Sequence, residues 1–183
     1  MVLDRVKAVV GKLLDFYHRI TLSGSEYARQ KGVVVGKDCR ITIRSFGTEP
    51  WLISIGDRVG IASGVVLLTH DGSTWLMNDE KGRRYLYRRI EIGDDVMIGS
   101  NSILMPGVKV GNNVVIAAGS VVTKSIPSGT VVAGNPAKRL TDFASYRTKI
   151  LNECVSTLDV DMTLDHRRRT EALVDKTFKP YLE

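Results

Sequence analysis

Among the three histidines, His18, His70 and His166, one stands where chemistry is easy to place. His70 closes an aliphatic run in LLTHDGSTW and opens a long segment of different pattern. A neutral imidazole near physiological pH can take the proton of a hydroxyl as that oxygen attacks a carbonyl, then return it to the leaving group. Such a base works better when a carboxylate fixes its tautomer. Asp71 follows His70 directly, and Glu49 lies in SFGTEP further upstream, so either could orient the ring. Either could instead bind a substrate hydroxyl or cap a turn. His18 falls in an amphipathic stretch and His166 in a charged tail, which reads as surface or packing for both. Cys39 and Cys154 are far apart, lack metal-ligand spacing and have no neighbour to stabilise a thiolate, so both are expected to be inert thiols.

What must position His70 is a repeat. An aliphatic residue recurs every six positions through Ile92, Ile98, Leu104, Val110, Ile116 and Val122, most often followed by a small one such as Gly93, Gly99, Gly111 or Ala117. Ile55, Ile61 and Leu67 do the same earlier, and Val35 with Gly36, then Ile41, give the first trace. A second column falls four residues after each aliphatic one, at Val96, Ser102, Val108, Val114, Ser120 and Ile126. Two small or β-branched side chains per six predict very short strands joined by tight turns, each rung stacked on the last. Glycine after the strand suits a sharp turn or a positive φ.

Two interruptions mark the repeat. From Ile41 to Ile55 the spacing is fourteen, two more than two repeats, so SFGTEP should bulge from the coil. From Asp71 to about Arg89 the period is lost and then resumes; a loop of that size beside His70 is expected to serve function. It carries Trp75, Tyr85 and Tyr87 among Arg83, Arg84, Arg88 and Arg89. Aromatics can stack on sugar faces and arginines can grip an acidic group, or the same residues could form a strand edge against another subunit.

The ends differ from the middle. Residues 2–19 place Val2, Val6, Val9, Leu13, Phe16 and Tyr17 at helical spacing, predicting an amphipathic helix that covers the open end of the solenoid, with weak membrane-surface contact as the alternative. After Pro136 the chain becomes charged and helix-permissive, with Arg167, Arg168 and Arg169 on an expected solvated face. The organisation is therefore a helical segment 1–30, a solenoid 31–136 with an inserted loop 71–89, and a helical extension 137–183. The formal charge of +6, from 26 Lys and Arg against 20 Asp and Glu, is too small an excess to argue for nucleic acid. Charges at Lys7, Lys12, Asp15 and Arg19 interrupt the first apolar stretch, so neither a membrane span nor a signal core is expected, and a cytoplasmic location follows.

The segment IGDDVMIGSNSILMPGVKVGNNVVIAAGSVVTKSIPSGTVVAGNPAKRL resembles the hexapeptide-repeat acyltransferases along its whole length. The resemblance implies an all-β solenoid, a left-handed parallel β-helix of triangular section with three hexapeptides per coil. That hand overrides the usual right-handed crossover. THDG with its following aromatic is similar to the sugar, polysaccharide and antibiotic acetyltransferases of the group. It implies a homotrimer that transfers acetyl from acetyl-CoA to a hydroxyl of a sugar, nucleotide sugar or surface-polysaccharide unit, with His70 as general base. Transfer to the nitrogen of an amino sugar or antibiotic, and a non-catalytic scaffold, are the alternatives. The family's CoA groove maps onto Ser100, Ala118, Gly119, Thr123 and Lys124, and its phosphate contacts onto Lys124, Lys138 and Arg139; Trp75 and Tyr85 are expected as acceptor contacts from their residue type alone. Met97 stands where the family commonly has tryptophan, and Lys138 where it often has arginine. No metal is expected, because the γ-type carbonic anhydrases that share this fold bind zinc through three histidines and the repeats here hold one.

Overall fold

The computed structural model describes residues 2–175 and 177–179, without the side chains of residues 2–4 and 8. The expected apolar contact of Val2 and the last residues of the C-terminal extension lie outside the described residues. The chain forms two units, residues 1–143 and 144–183.

In the first unit, short parallel strands stack into three faces. One face holds Val34–Val35, Ile53–Ile55, Ile90–Ile92 and Lys109–Val110; the second Arg40–Ile41, Gly60–Ile61, Val96–Ile98, Val114–Ile116 and Thr130–Ala133; the third Val66–Leu67, Ile103–Leu104 and Val121–Val122. Ile98 pairs with Ile116 and Leu104 with Val122, so each coil advances by eighteen residues, three repeats of six. Both columns point inward: Ile98, Leu104 and Ile116 of the first, and Val114, Ser102 and Ser120 of the second, have no exposed surface. The two buried serines are satisfied locally, each hydroxyl donating to the carbonyl of Ala117 at 3.0 and 2.6 Å.

The glycine after each strand serves a close approach rather than a positive φ. At one corner the Asp57 carboxylate accepts from the amide of Lys37, Asp94 from Asp57, Asn112 from Asp94 and the Ser128 hydroxyl from Asn112, at 2.8 to 2.9 Å. Each accepting side chain tucks against the glycine of the coil before it. A Cβ built on Gly93 would stand 2.2 Å from the Asn112 side-chain oxygen and 2.9 Å from the Gly111 carbonyl carbon. Positive φ falls instead one residue beyond the ladder, at Asp38, Arg58, Asp95 and Asn113.

Both breaks in the repeat occupy the same corner of the prism, one coil apart. The lower holds a 3-10 turn, Pro50–Leu52, with Glu49 at its start. The upper leaves the coil at His70, forms a 3-10 turn Gly72–Leu76 and a hairpin of Asn78–Asp79 with Gly82–Arg83, and returns beside its exit, where His70 bridges Tyr87 in antiparallel fashion. The amide of Arg88 donates to the Thr69 carbonyl at 2.7 Å, closing the loop's neck.

The ends correct two expectations. The open end of the solenoid is covered by Gly24–Gln30, a helix started by a Ser23–Glu26 capping box, with Tyr27 and Ala28 buried. The longer helix Val2–Thr21 leaves Val6, Val9, Leu13, Phe16 and Tyr17 exposed, because Tyr27 and Ala28 already fill the site it was expected to cover. At the other end, the chain does not become helical at 137. Lys138–Asp142 first returns antiparallel along Thr130–Ala133, which would otherwise present an unpaired edge. Helices Phe143–Glu153 and His166–Leu173 follow. In the second unit Arg167 and Arg168 pair with Glu171 and Asp165 at 2.8 and 3.4 Å, on an exposed face.

Gly93→Ala should lower unfolding free energy by about 2 kcal/mol, because neither the Asn112 side chain nor the Gly111 backbone can retreat without breaking the ladder. Gly72→Ala, with nothing within 4 Å of the added carbon, should change it little. Urea titration of the two variants measures the difference.

Candidate active site

The bulge and the loop meet at Glu49 and His70. Glu49 Oε2 lies 2.9 Å from His70 Nδ1 and also accepts from the Thr69 hydroxyl at 2.7 Å. Its other oxygen accepts from Thr48 at 2.6 Å. Side-chain exposure is 13% for Glu49 and 41% for His70, so the carboxylate is enclosed while the imidazole reaches solvent. The Thr48 hydroxyl, with lesser help from Thr69 and His70, pulls the Glu49 pKa down to about 2 from 4.5, against the opposing effect of burial. A carboxylate held ionised in this way accepts the Nδ1 proton, which leaves Nε2 with its lone pair.

Of the two carboxylates expected to orient the ring, Glu49 is the one within hydrogen-bond distance of it, while Asp71 lines both clefts beside His70. Asp71 accepts from the amide and hydroxyl of Ser73 at 2.9 and 2.7 Å, starting the 3-10 turn of the loop. Its pKa is lowered chiefly by the Ser73 hydroxyl and then by the Ser73 amide, with His70 the weakest influence.

His70 stands between two clefts. One, about 230 Å³, is lined by Thr48, Glu49, Arg83, Tyr85 and Tyr87 as well as His70. Tyr85 stacks on Tyr87 with centroids 6.2 Å apart, Arg83 covers the Tyr85 ring at 4.7 Å, and Tyr87 meets the His70 ring at 6.1 Å. The other, about 390 Å³, runs from His70 along Leu68, Met105 and Thr123, with Leu86 and Pro106 at its sides. Leu68, Met105 and Thr123 follow the paired strand residues Leu67, Leu104 and Val122, so they stack as successive rungs of one corner.

The remaining candidates divide. Thr123 lies in the second cleft and exposed Lys124 follows it on the same corner. Ser100, Ala118 and Gly119 occupy the next corner, across the Val121–Val122 strand, where the Gly119 amide donates to the Ser100 carbonyl at 2.8 Å. Lys138 and Arg139 are exposed on the returning strand. Tyr85 lines the first cleft, whereas Trp75 is 65% exposed on the 3-10 turn and lines neither. The sequence reading left out Thr48, Thr69 and the Leu68–Met105–Thr123 ladder as a unit. Thr69 neighbours His70 and Thr48 neighbours Glu49, so adjacency to the two candidates was the available signal. Among the described residues, no group of three or more His, Cys, Asp or Glu is placed to hold a metal ion.

A solenoid of six-residue rungs carrying one oriented histidine at an interrupted corner is an arrangement with known relatives. Residues 89–124 match the bacterial transferase hexapeptide model, which spans six repeats. The chain is 44% identical over 151 residues to Protein CapG of Staphylococcus aureus, an alignment covering 81% of this chain and 86% of CapG. This chain therefore belongs to the bacterial hexapeptide-repeat transferase family. Among solved structures, it is similar to the hexapeptide-repeat acetyltransferase VCA0836 of Vibrio cholerae, with a TM-score of 0.59, 23% identity and coverage of 78% of this chain and 93% of that one. It is also similar to a maltose O-acetyltransferase of Clostridium difficile 630, with a TM-score of 0.50, 28% identity and coverage of 72% and 83%.

The depressed Glu49 pKa makes a signed prediction about stability. Ionised Glu49 stabilises the fold fully above its unfolded value near 4.5, and the contribution is lost as pH falls toward about 2. The difference in unfolding free energy between the wild type and Glu49→Gln should therefore have a pH-dependent part on the order of 3 kcal/mol, flat at neutral pH and shrinking below it. Urea titrations across acidic pH measure it; a difference independent of pH would contradict the assignment.

Proposed function

We propose that this protein is an acetyl-CoA-dependent O-acetyltransferase, with His70 as general base, Glu49 as the residue that positions it, and a hydroxyl-bearing sugar, nucleotide sugar or polysaccharide unit as acceptor. The observation that carries the reading is the placement of His70: Nδ1 is engaged by a partly buried carboxylate, and the ring lies between a polar, aromatic-lined cleft and an apolar ladder. Similarity to a maltose O-acetyltransferase supports oxygen as the acceptor atom.

In this reading the acceptor hydroxyl enters the cleft of Tyr85, Tyr87 and Arg83. His70 Nε2 removes its proton as the oxygen attacks the thioester carbonyl. The tetrahedral intermediate collapses, the carbon–sulfur bond breaks, and the imidazolium returns the proton to the departing thiolate, giving an acetyl ester and CoA. Glu49 stabilises the imidazolium formed in the first step and holds the ring's direction throughout. The pantetheine arm lies along Leu68, Met105 and Thr123, with Lys124, Lys138 and Arg139 as cations for the CoA phosphates.

A left-handed winding and a homotrimer belong to the same proposal. Ser100, Ala118 and Gly119 stand on a different corner from His70, and a groove between two subunits is the arrangement in which one chain's small-residue corner faces its neighbour's histidine corner. Trp75 then contacts acceptor only if the loop closes over it.

His70→Ala should reduce acetyl transfer at least about a thousandfold in a screen of sugars and nucleotide sugars with acetyl-CoA, while acetyl-CoA affinity and a trimeric sedimentation coefficient are preserved. Near-normal turnover in this variant would remove His70 as the base. Transfer to amino sugars but not to hydroxyl acceptors would replace O-transfer with N-transfer.

A further inference from the structure

The N-terminal helix is turned inside out relative to an ordinary surface helix. Its polar side faces the body: Asp15 accepts from the Tyr27 hydroxyl and from Lys31, both at 3.1 Å, and Asp15 and His18 are its partly buried positions. Its apolar side faces away. Val6, Val9, Val10, Leu13, Leu14, Phe16, Tyr17 and Ile20 are 48 to 65% exposed. At about 100° per residue these eight span an arc of about 160°, and Asp15 lies opposite its middle. One or two exposed apolar residues need no explanation, but a continuous stripe along about four turns does.

Its cations border that stripe. Arg5, Lys12 and Arg19 recur every seven residues along one edge, and Lys7 marks the other, all of them exposed. Two consequences follow for what can cover the stripe. A second copy of the helix would bring cationic edges together, where paired helices place opposite charges, and an arc of about 160° is far wider than the narrow seam of a coiled coil. An anionic lipid surface takes both features at once: the apolar side chains enter the boundary between headgroups and acyl chains, and the flanking cations remain level with the phosphates. The described helices include none long and apolar enough to cross a membrane, so contact is along the surface.

We infer that Val2–Thr21 is an interfacial helix that docks this protein on an anionic membrane surface. The Asp15 contacts hold the helix against the body with its apolar stripe directed outward. The inference does not depend on the acetyl-transfer reading, because none of these residues lines either cleft.

The test is co-sedimentation of the purified full chain with vesicles of mixed phosphatidylglycerol and phosphatidylcholine, compared with phosphatidylcholine alone. Binding should require the anionic lipid and weaken with salt. Lys12→Glu should lower the partition coefficient at least about tenfold, and Leu13→Asp with Phe16→Asp should abolish binding. All three positions are exposed, so unchanged circular dichroism and thermal unfolding confirm folded protein. Absence of binding to the anionic vesicles, or binding unchanged in both variants, overturns the inference. A fall in oligomer size in the Leu13 and Phe16 variant, without vesicle binding by the wild type, assigns the stripe to a second copy instead.

Discussion

Glu49 is a nearly enclosed carboxylate that stays ionised because it is surrounded by donors: two threonine hydroxyls and an imidazole. A buried charge without such partners would protonate. Ionised, it favours the His70 tautomer with its proton on Nδ1, which leaves Nε2 able to accept one. His70 lines both clefts, so in the proposed reaction the chemistry of each would follow from that choice.

A regular solenoid could not build this contact. Coils stack equivalent residues eighteen apart, and stacked side chains point the same way, into the core or out of it. Glu49 and His70 are brought together because both repeat breaks fall on one corner. The two-residue surplus below swings Glu49 outward at the start of Pro50–Leu52, and the loop above lets His70 pair with Tyr87 rather than with a next coil. The regular part contributes rigidity. Its inward columns and its Asp57, Asp94, Asn112 and Ser128 ladder fix each rung on the next, and the candidate site side chains stand where that regularity is suspended.

The solenoid could be read from the sequence because burial of the same two positions in every rung forces a period that unordered loops do not have. His70 and the two carboxylates could be read from their residue types and from the break beside them. Choosing Glu49 over Asp71 could not: the choice depends on which carboxylate the bulge sets against the imidazole, and Asp71 accepts from the Ser73 amide two residues on. Trp75 shares a loop with Tyr85, but sequence proximity does not say which face of a 3-10 turn a side chain takes. The small-residue positions at Ser100, Ala118 and Gly119 separate from Thr123 and Lys124 by one corner, a distance of a few residues that becomes a change of face. At the N-terminus the helical period was legible and its direction was not, because the pattern shows that one side is apolar and not what covers it. At residue 138, the pairing need of Thr130–Ala133 outweighs a local composition that permits helix.

The central claim is that Glu49 holds His70 with its proton on Nδ1, leaving Nε2 free to act as a base. Nitrogen-15 NMR of the histidine-labelled protein reads this directly, with His70→Asn identifying the resonances. For the neutral ring, the account predicts a pyrrole-like Nδ1 and a pyridine-like Nε2 for His70, with that preference lost in Glu49→Ala. A pyridine-like Nδ1 with the proton on Nε2 would contradict it.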